Sequence, residues 1–151
     1  MEPQVQEYLK LIATFFINDC LYGIDTQRLQ EVVRISEITP VHHSPEYVLG
    51  VMNLRGRIVT VIDLGCKLLL KKLTVETFSR VFIVSWEQEY VGLLVDKIED
   101  VVPMEEDLLR PPPENVSREQ AAMFRGVFRT GEKLVTLLDL DTTLHLNRSS
   151  Q

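Results

Sequence analysis

Short apolar runs separated by polar turns dominate the chain, and few stretches carry the three-to-four residue spacing of an amphipathic helix. Leu11 to Ile17 and Val81 to Trp86 are β-branched or aromatic runs, interrupted by Asn18-Asp19 and by Glu87-Gln88-Glu89. Apolar positions resume at Tyr22-Gly23-Ile24 and at Val91 to Val95, so each pair predicts a β-hairpin. Arg57 to Leu64 and Lys133 to Leu140 are near-continuous apolar segments ending in Asp-Leu, the pattern of strands buried on both faces or inside a small barrel. Helices are predicted to be short and few. Ser44-Pro45-Glu46 sets a cap before Pro at the first helical position and predicts about one turn before Gly50. Ser117-Arg118-Glu119-Gln120 has capping-box spacing and predicts a turn or two before Gly126. Thr26 to Val33, with Leu29, Val32 and Val33 on one side, reads as a helical turn feeding a strand.

The pattern occurs twice. Gly50 to Leu64 (GVMNLRGRIVTVIDL) aligns without a gap to Gly126 to Leu140 (GVFRTGEKLVTLLDL), 76 residues later, with six of fifteen positions identical. A weaker echo, 69 residues apart, relates Tyr22 to Val33 and Val91 to Val102 in the same order. Two related halves of short strands predict a mainly β fold of two packed SH3-like five-stranded antiparallel β-barrel subdomains with a few short helices. The boundaries expected are roughly 15–80 for the first barrel and roughly 81–147, plus the N-terminal strand 8–14, for the second, within a single domain over 8–147. Halves this small fold poorly alone, so they are expected to share a core, with the apolar strand Leu9 to Phe16 between them or paired across.

Composition narrows the function classes. The 151 residues carry 16 Lys plus Arg against 22 Asp plus Glu, a net charge of −6, and the basic residues do not cluster, which disfavours a nucleic-acid partner. Acidic residues do cluster: Asp96 to Asp107 carries a net −5 and reads either as a solvated face or as an electrostatic docking edge. Cys20 and Cys66 stand apart, without CxxC spacing, which suits reduced thiols in a cytoplasmic protein. The N-terminus lacks signal-peptide character and no apolar run is long enough to span a bilayer, so direct membrane insertion is not expected.

Catalytic chemistry finds little support. Gly126 to Lys133 approaches a phosphate-binding loop, but Glu132 stands where lysine belongs and a strand follows where a helix should, so it reads as a hairpin turn. His42, His43 and His145 offer no metal-ligand spacing, and no catalytic residue, metal or cofactor is assigned. Asp63 and Asp139 end matching strands and are read as acceptors of backbone N–H bonds that close the following turn. Polar signal concentrates at Asn53-Leu54-Arg55-Gly56, where the two halves differ although their flanks match. A guanidinium on a hairpin tip can meet a partner carboxylate; an exposed turn shaped by Asn and Gly is the plainer alternative.

Ile38-Thr39-Pro40-Val41, the run from Pro45 through the NLRG loop to Ile58, Val61-Ile62-Asp63-Leu64, Val91 to Asp96 and Gly126 to Leu140 resemble the CheW family of bacterial chemotaxis coupling proteins, over about residues 8 to 147. The resemblance implies a non-enzymatic adaptor, located in the cytoplasm at membrane receptor arrays. Its partners would be the cytoplasmic tip of chemoreceptors, the regulatory domain of a CheA-type histidine kinase, and other CheW-like domains in rings. It implies a receptor-binding groove between the barrels involving Leu29, Glu31, Gly50, Asn53, Arg55 and Ile58, with Glu31 paired to Arg55. A kinase contact is expected at the first-half barrel edge, around Ile35, Val41 and Val59. Thr60, Gly65-Cys66 and His42 depart from the family's usual proline, arginine and proline, which bears on partner choice. The alternatives are a small-ligand-binding β-barrel and an adaptor in a chemosensory-like pathway that controls something other than motility.

Overall fold

The polar pairs that interrupt the apolar runs are two-residue hairpin turns. In the computed structural model, which describes residues 9–149, Asn18 and Asp19 have φ of 52° and 71°, and Glu87 and Gln88 have φ of 51° and 67°. Positive φ at both central residues is the type I′ signature, whose twist matches that of paired strands. The first turn joins β1 (Leu9–Ile17) to β2 (Cys20–Asp25), and a single 3-10 turn, Thr26–Arg28, then feeds β3 (Leu29–Val33). A second hairpin, β4 (Val48–Leu54) and β5 (Arg57–Asp63), ends in the short helix α1 (Leu64–Lys67). The later half runs β6 (Arg80–Trp86), β7 (Glu89–Val95), β8 (Lys97–Glu105), α2 (Arg118–Ala122), β9 (Phe124–Thr130), β10 (Lys133–Leu138) and α3 (Leu140–Ser149).

These strands form two five-stranded sheets, ordered β8-β1-β2-β10-β9 and β3-β6-β7-β5-β4. Under the sequence repeat β1 matches β6, β2 matches β7, β3 matches β8, β4 matches β9 and β5 matches β10, so the two orders are the same order. Each half therefore lends its opening hairpin to the other half's sheet. β2 lies parallel to β10, with Thr136 opposite Tyr22, and β7 lies parallel to β5, with Thr60 opposite Val91. The expected all-antiparallel arrangement is thus corrected to mixed sheets, because a hairpin drawn from the other half meets its new neighbour in the parallel sense.

The expected boundary near residue 80 differs from the observed division for the same reason. One compact unit contains residues 16–18 and 28–98, and the other contains residues 9–15, 19–27 and 99–149 of those described. β6 and β7 lie in the first of these units through their pairing with β3 and β5.

In the unit of residues 28–98, Met52, Val59, Val61, Val81, Ile83 and Leu94 form a buried cluster against which Val33, Ile35, Ile38, Leu49, Leu54, Leu73 and Tyr90 pack. The other unit buries Ile12, Phe15, Tyr22, Met104, Phe128, Val135 and Leu137, with the Tyr22 ring 6.3 Å from Phe15 and 6.2 Å from Phe124. Burying apolar strands on this scale supplies the main driving force for each unit.

Local capping follows the expectations closely. Ser117 Oγ accepts from Gln120 N while Gln120 Oε1 accepts from Ser117 N, completing the capping box of α2. Asp63 is fully buried; one carboxylate oxygen accepts from Cys66 N at 3.0 Å and the other from Leu73 N at 2.9 Å. Asp139 accepts from Thr142 N at 3.0 Å, the same role one repeat later. Both aspartates cap helices, which goes further than the expected closing of a turn. By contrast Ser44-Pro45-Glu46 starts no helix: one bond, Val48 N to Pro45 O, closes a turn, and strand pairing of Val48 with Ile62 takes over. α3 was not expected from sequence, since two threonines weaken its propensity; Leu140 and Leu144, one turn apart, are both buried and hold it.

Candidate functional site

The β4–β5 hairpin is built to hold one guanidinium away from the sheet. Its turn is Arg55-Gly56, with φ of 52° and 85°, a type I′ pair in which glycine takes the second position at no steric cost. Asn53 Oδ1 accepts from Gly56 N at 2.8 Å, so the asparagine shapes the turn that presents its neighbour. The Arg55 side chain is 68% exposed, and one of its terminal nitrogens donates to the Glu31 carboxylate on β3. β3 and the β4–β5 hairpin lie at opposite ends of the strand order, so the ion pair spans the sheet's two ends. Next along β5, the Arg57 guanidinium lies 4.2 Å from the centre of the Tyr90 ring, which keeps it folded back on the sheet. Arg55 is therefore the guanidinium left projecting from this tip.

The same two ends meet a second time through backbone. Thr39, beyond β3, exchanges two hydrogen bonds of 2.8 Å with Val51 on β4. Gly50 permits this approach: it is buried at φ 146°, and a Cβ there would sit 2.3 Å from Thr39 O. Gly126, at φ 153° with Arg110 O at the same 2.3 Å, repeats the arrangement beside the Arg110–Val127 bridge. Gly50, expected as a receptor contact, is buried, and its missing side chain lets the chain around Thr39 lie on β4.

Of the other expected receptor residues, Leu29 is half-buried opposite Val84, and Ile58 is 63% exposed, a large apolar side chain left facing solvent beside Asn53 on the partner strand. Among the expected kinase contacts, Val41 is 45% exposed and Ile35 is half-buried against the core. Val59 is corrected: it is 0% exposed and belongs to the core cluster, because it points to the opposite face of β5 from Ile58. On that strand Ile58 and Thr60 are the exposed neighbours.

An open cavity of about 430 Å³ lies beside two of the expected receptor residues, Asn53 and Ile58, and is lined by them with Ser36, Glu37, Thr39, Val51 and Met52. Sequence reasoning missed Ser36, Glu37, Thr39 and Met52 because they converge only when the segment after β3 folds back onto β4. The match of Gly50 to Gly126 was the available signal. Burial pushes the Lys67 ammonium below its ordinary range, with the Tyr47 ring 5.4 Å away, and burial followed by the Asp63 and Glu46 carboxylates pushes the Cys66 thiol up. Among the described residues no group of three or more His, Cys, Asp or Glu side chains is placed to hold a metal.

Known proteins share this architecture. A family model described as the CheW-like domain matches residues 12–148. The chain is 30% identical over 139 residues to a chemotaxis protein CheW of Klebsiella aerogenes, covering 92% of this chain and 81% of that protein. It is 31% identical over 130 residues to the chemotaxis protein CheW of Thermotoga maritima, covering 86% and 84%. The crystal structure of scaffolding protein TtCheW from Thermoanaerobacter tengcongensis superimposes with a TM-score of 0.80 at 34% identity, covering 89% of this chain and 86% of that one.

Proposed function

We propose, from the premise that this chain belongs to the CheW-like domain family, that it is a non-enzymatic scaffold joining chemoreceptors to a CheA-type histidine kinase in a chemosensory array. Arg55 carries the reading. A guanidinium on a two-residue turn, aimed by an ion pair to Glu31 and flanked by exposed Ile58, offers one charge and one apolar anchor to a partner. Arginine beside an apolar anchor is the composition of an interface hot spot. Receptor binding is assigned to Arg55 and Ile58, with Leu29 and Glu31 supporting them and Asn53 and Gly50 fixing the geometry. Kinase binding is assigned to the neighbouring edge, with exposed Val41 and half-buried Ile35.

The finer fold reading belongs with this proposal: each five-stranded sheet is taken as an SH3-like barrel, supported by the Thr39–Val51 and Arg110–Val127 bridges that return the chain to the far edge strand. The scaffold acts by geometry, holding two partners in register so that receptor state biases the kinase, and array avidity strengthens modest contacts. Among the described residues no helix is long and apolar enough to cross a membrane, which fits recruitment to the array through receptor tips.

The test uses two separate binding measurements, with a receptor cytoplasmic hairpin fragment and with a kinase regulatory domain. Arg55→Ala should weaken receptor binding about tenfold, near 1.4 kcal/mol, and Arg55→Glu more, with kinase binding kept. Val41→Asp should do the converse. Receptor binding unchanged in both Arg55 variants removes the receptor assignment, and kinase binding unchanged in Val41→Asp removes the kinase edge.

A further inference from the structure

The two halves of the repeat are interleaved rather than set side by side. The seams β8–β1, β2–β10, β3–β6 and β7–β5 each join a strand of the first half to a strand of the second. Neither half holds a complete five-stranded sheet, and the covalent connection between them is the segment from α1 to β6. That segment is anchored at two points. Leu73 N donates to the buried Asp63 carboxylate at 2.9 Å, and further on Ser79 N donates to Glu76 O while Ser79 Oγ accepts from Glu76 N. Thr74 to Phe78 are all exposed, so closing this link buries little apolar surface. Leu69, near its start, is exposed as well and sits at φ 64°, a left-handed conformation that strains a residue carrying a Cβ.

The link has to step over one strand. Asp63 on β5 and Val81 on β6 both lie opposite Leu94 of β7, one on each side of it, which puts them two strand spacings, about 10 Å, apart. A first half can fill that sheet with the β6–β7 hairpin of its own chain or with the same hairpin of another molecule, and the strand pairings formed are identical. Exchange of halves therefore adds no new interface and removes none; it alters only the path of the link.

We infer that this chain forms a dimer by exchanging halves, β1–β5 of each copy pairing with β6–β10 of the other, with residues 68–79 as the hinge. Concentration during folding selects the form. A chain's own second half is present at the effective concentration set by the link, of the order of mM for a short one, so exchange competes when chains fold at a similar concentration. Each of the two bodies so formed keeps a complete Arg55 hairpin, in which Arg57 of one copy rests on the Tyr90 ring of the other. The dimer thus carries two such hairpins. Its use as a bivalent scaffold rests on the receptor assignment above, whereas the exchange is read from mass, so the failure of either is seen separately.

Refolding the full chain from urea, followed by sedimentation, tests the inference. At about 1 mM it should yield a dimer of twice the 17.4 kDa monomer mass that persists on dilution in the cold, because separation requires the halves to unfold, and at about 10 μM it should yield monomer. Deleting Thr74–Phe78 leaves two peptide links, about 7 Å at full stretch, between Leu73 and Arg80, and should give dimer at both concentrations. Leu69→Gly removes the strain of the closed link and should lower the dimer share at about 1 mM at least about threefold. Cleavage after the exposed Lys71 and Lys72 should return isolated dimer to monomer mass with Trp86 fluorescence unchanged, since only the links join its two bodies. A wild-type chain that refolds only to monomer at about 1 mM, a shortened chain that stays monomeric or unfolds, or a dimer that keeps its mass after cleavage, which marks docking of whole molecules, would overturn the inference.

Discussion

Gly50→Ala is the sharpest test of how the site is assembled, because resemblance makes Gly50 a contact residue and the geometry makes it a spacer. Two costs arise. The backbone sits at φ 146°, a conformation whose occupation by a side-chain-bearing residue costs about 1–3 kcal/mol. The new Cβ would also lie 2.3 Å from Thr39 O and 2.8 Å from Ile38 Cγ2, so the Thr39 segment must leave β4 and lose both bonds to Val51, at about 1 kcal/mol each. Together the loss is about 4 kcal/mol, which for a chain of this size lowers the melting temperature by about 8–16 °C. Urea denaturation followed by the fluorescence of Trp86, the single tryptophan and a resident of the same unit, measures it directly. Amide exchange at Thr39 and Val51 should accelerate in the variant. Gly126→Ala, read by circular dichroism, should lose a similar amount, while Gly56→Ala, with open space around the added Cβ, should lose about 1 kcal/mol. If Gly50→Ala loses no more than Gly56→Ala, the close approach of Thr39 to β4 does not hold the site together and the reasoning fails.

Asp63→Ala removes a buried cap with two accepted N–H bonds and should destabilise by about 3 kcal/mol, against about 1 kcal/mol for Asp139→Ala, in the same denaturation assay. Arg55→Ala breaks an exposed ion pair and should change stability by less than about 0.5 kcal/mol, so a large loss on denaturation would show a structural rather than a docking role. Because the Cys66 thiol is held above its ordinary value, iodoacetamide at pH 8 should alkylate exposed Cys20 first. The unfolded chain releases that proton near 9.0 while the folded chain still holds it, so stability should fall as pH climbs past 9, and fall less in Cys66→Ser.

Most strands and turns, and the cap at Ser117, were legible because each rests on neighbours in sequence, whereas the cap read at Ser44 gave way to strand pairing of Val48. Asn18-Asp19 and Arg55-Gly56 announce tight turns by composition, and Ser117 with Gln120 announces a cap by spacing. The Glu31–Arg55 pair followed from resemblance, and the geometry reproduces it. Val59 was misplaced because Ile58 and Val59, adjacent and equally apolar, do not reveal which of them meets solvent; the packing of the core does. The cavity residues Ser36, Thr39 and Met52 were illegible because no local pattern signals where a coil segment will cross a strand.

The sequence alone determined that there are two matching sets of strands, how each hairpin turns and where α2 is capped, since those choices rest on φ preferences and hydrogen bonds within a few residues. Only the tertiary structure decided which hairpin completes which sheet. β1–β2 and β6–β7 carry the same alternation and the same turn, so either would satisfy either sheet's open edge by local criteria. The pairings that complete the sheets join residues far apart in sequence: Thr136 lies opposite Tyr22, and Thr60 opposite Val91. That exchange places residues 80–95 in the sheet that carries the Arg55 hairpin, and with them Tyr90, whose ring holds Arg57 down and leaves Arg55 to project alone.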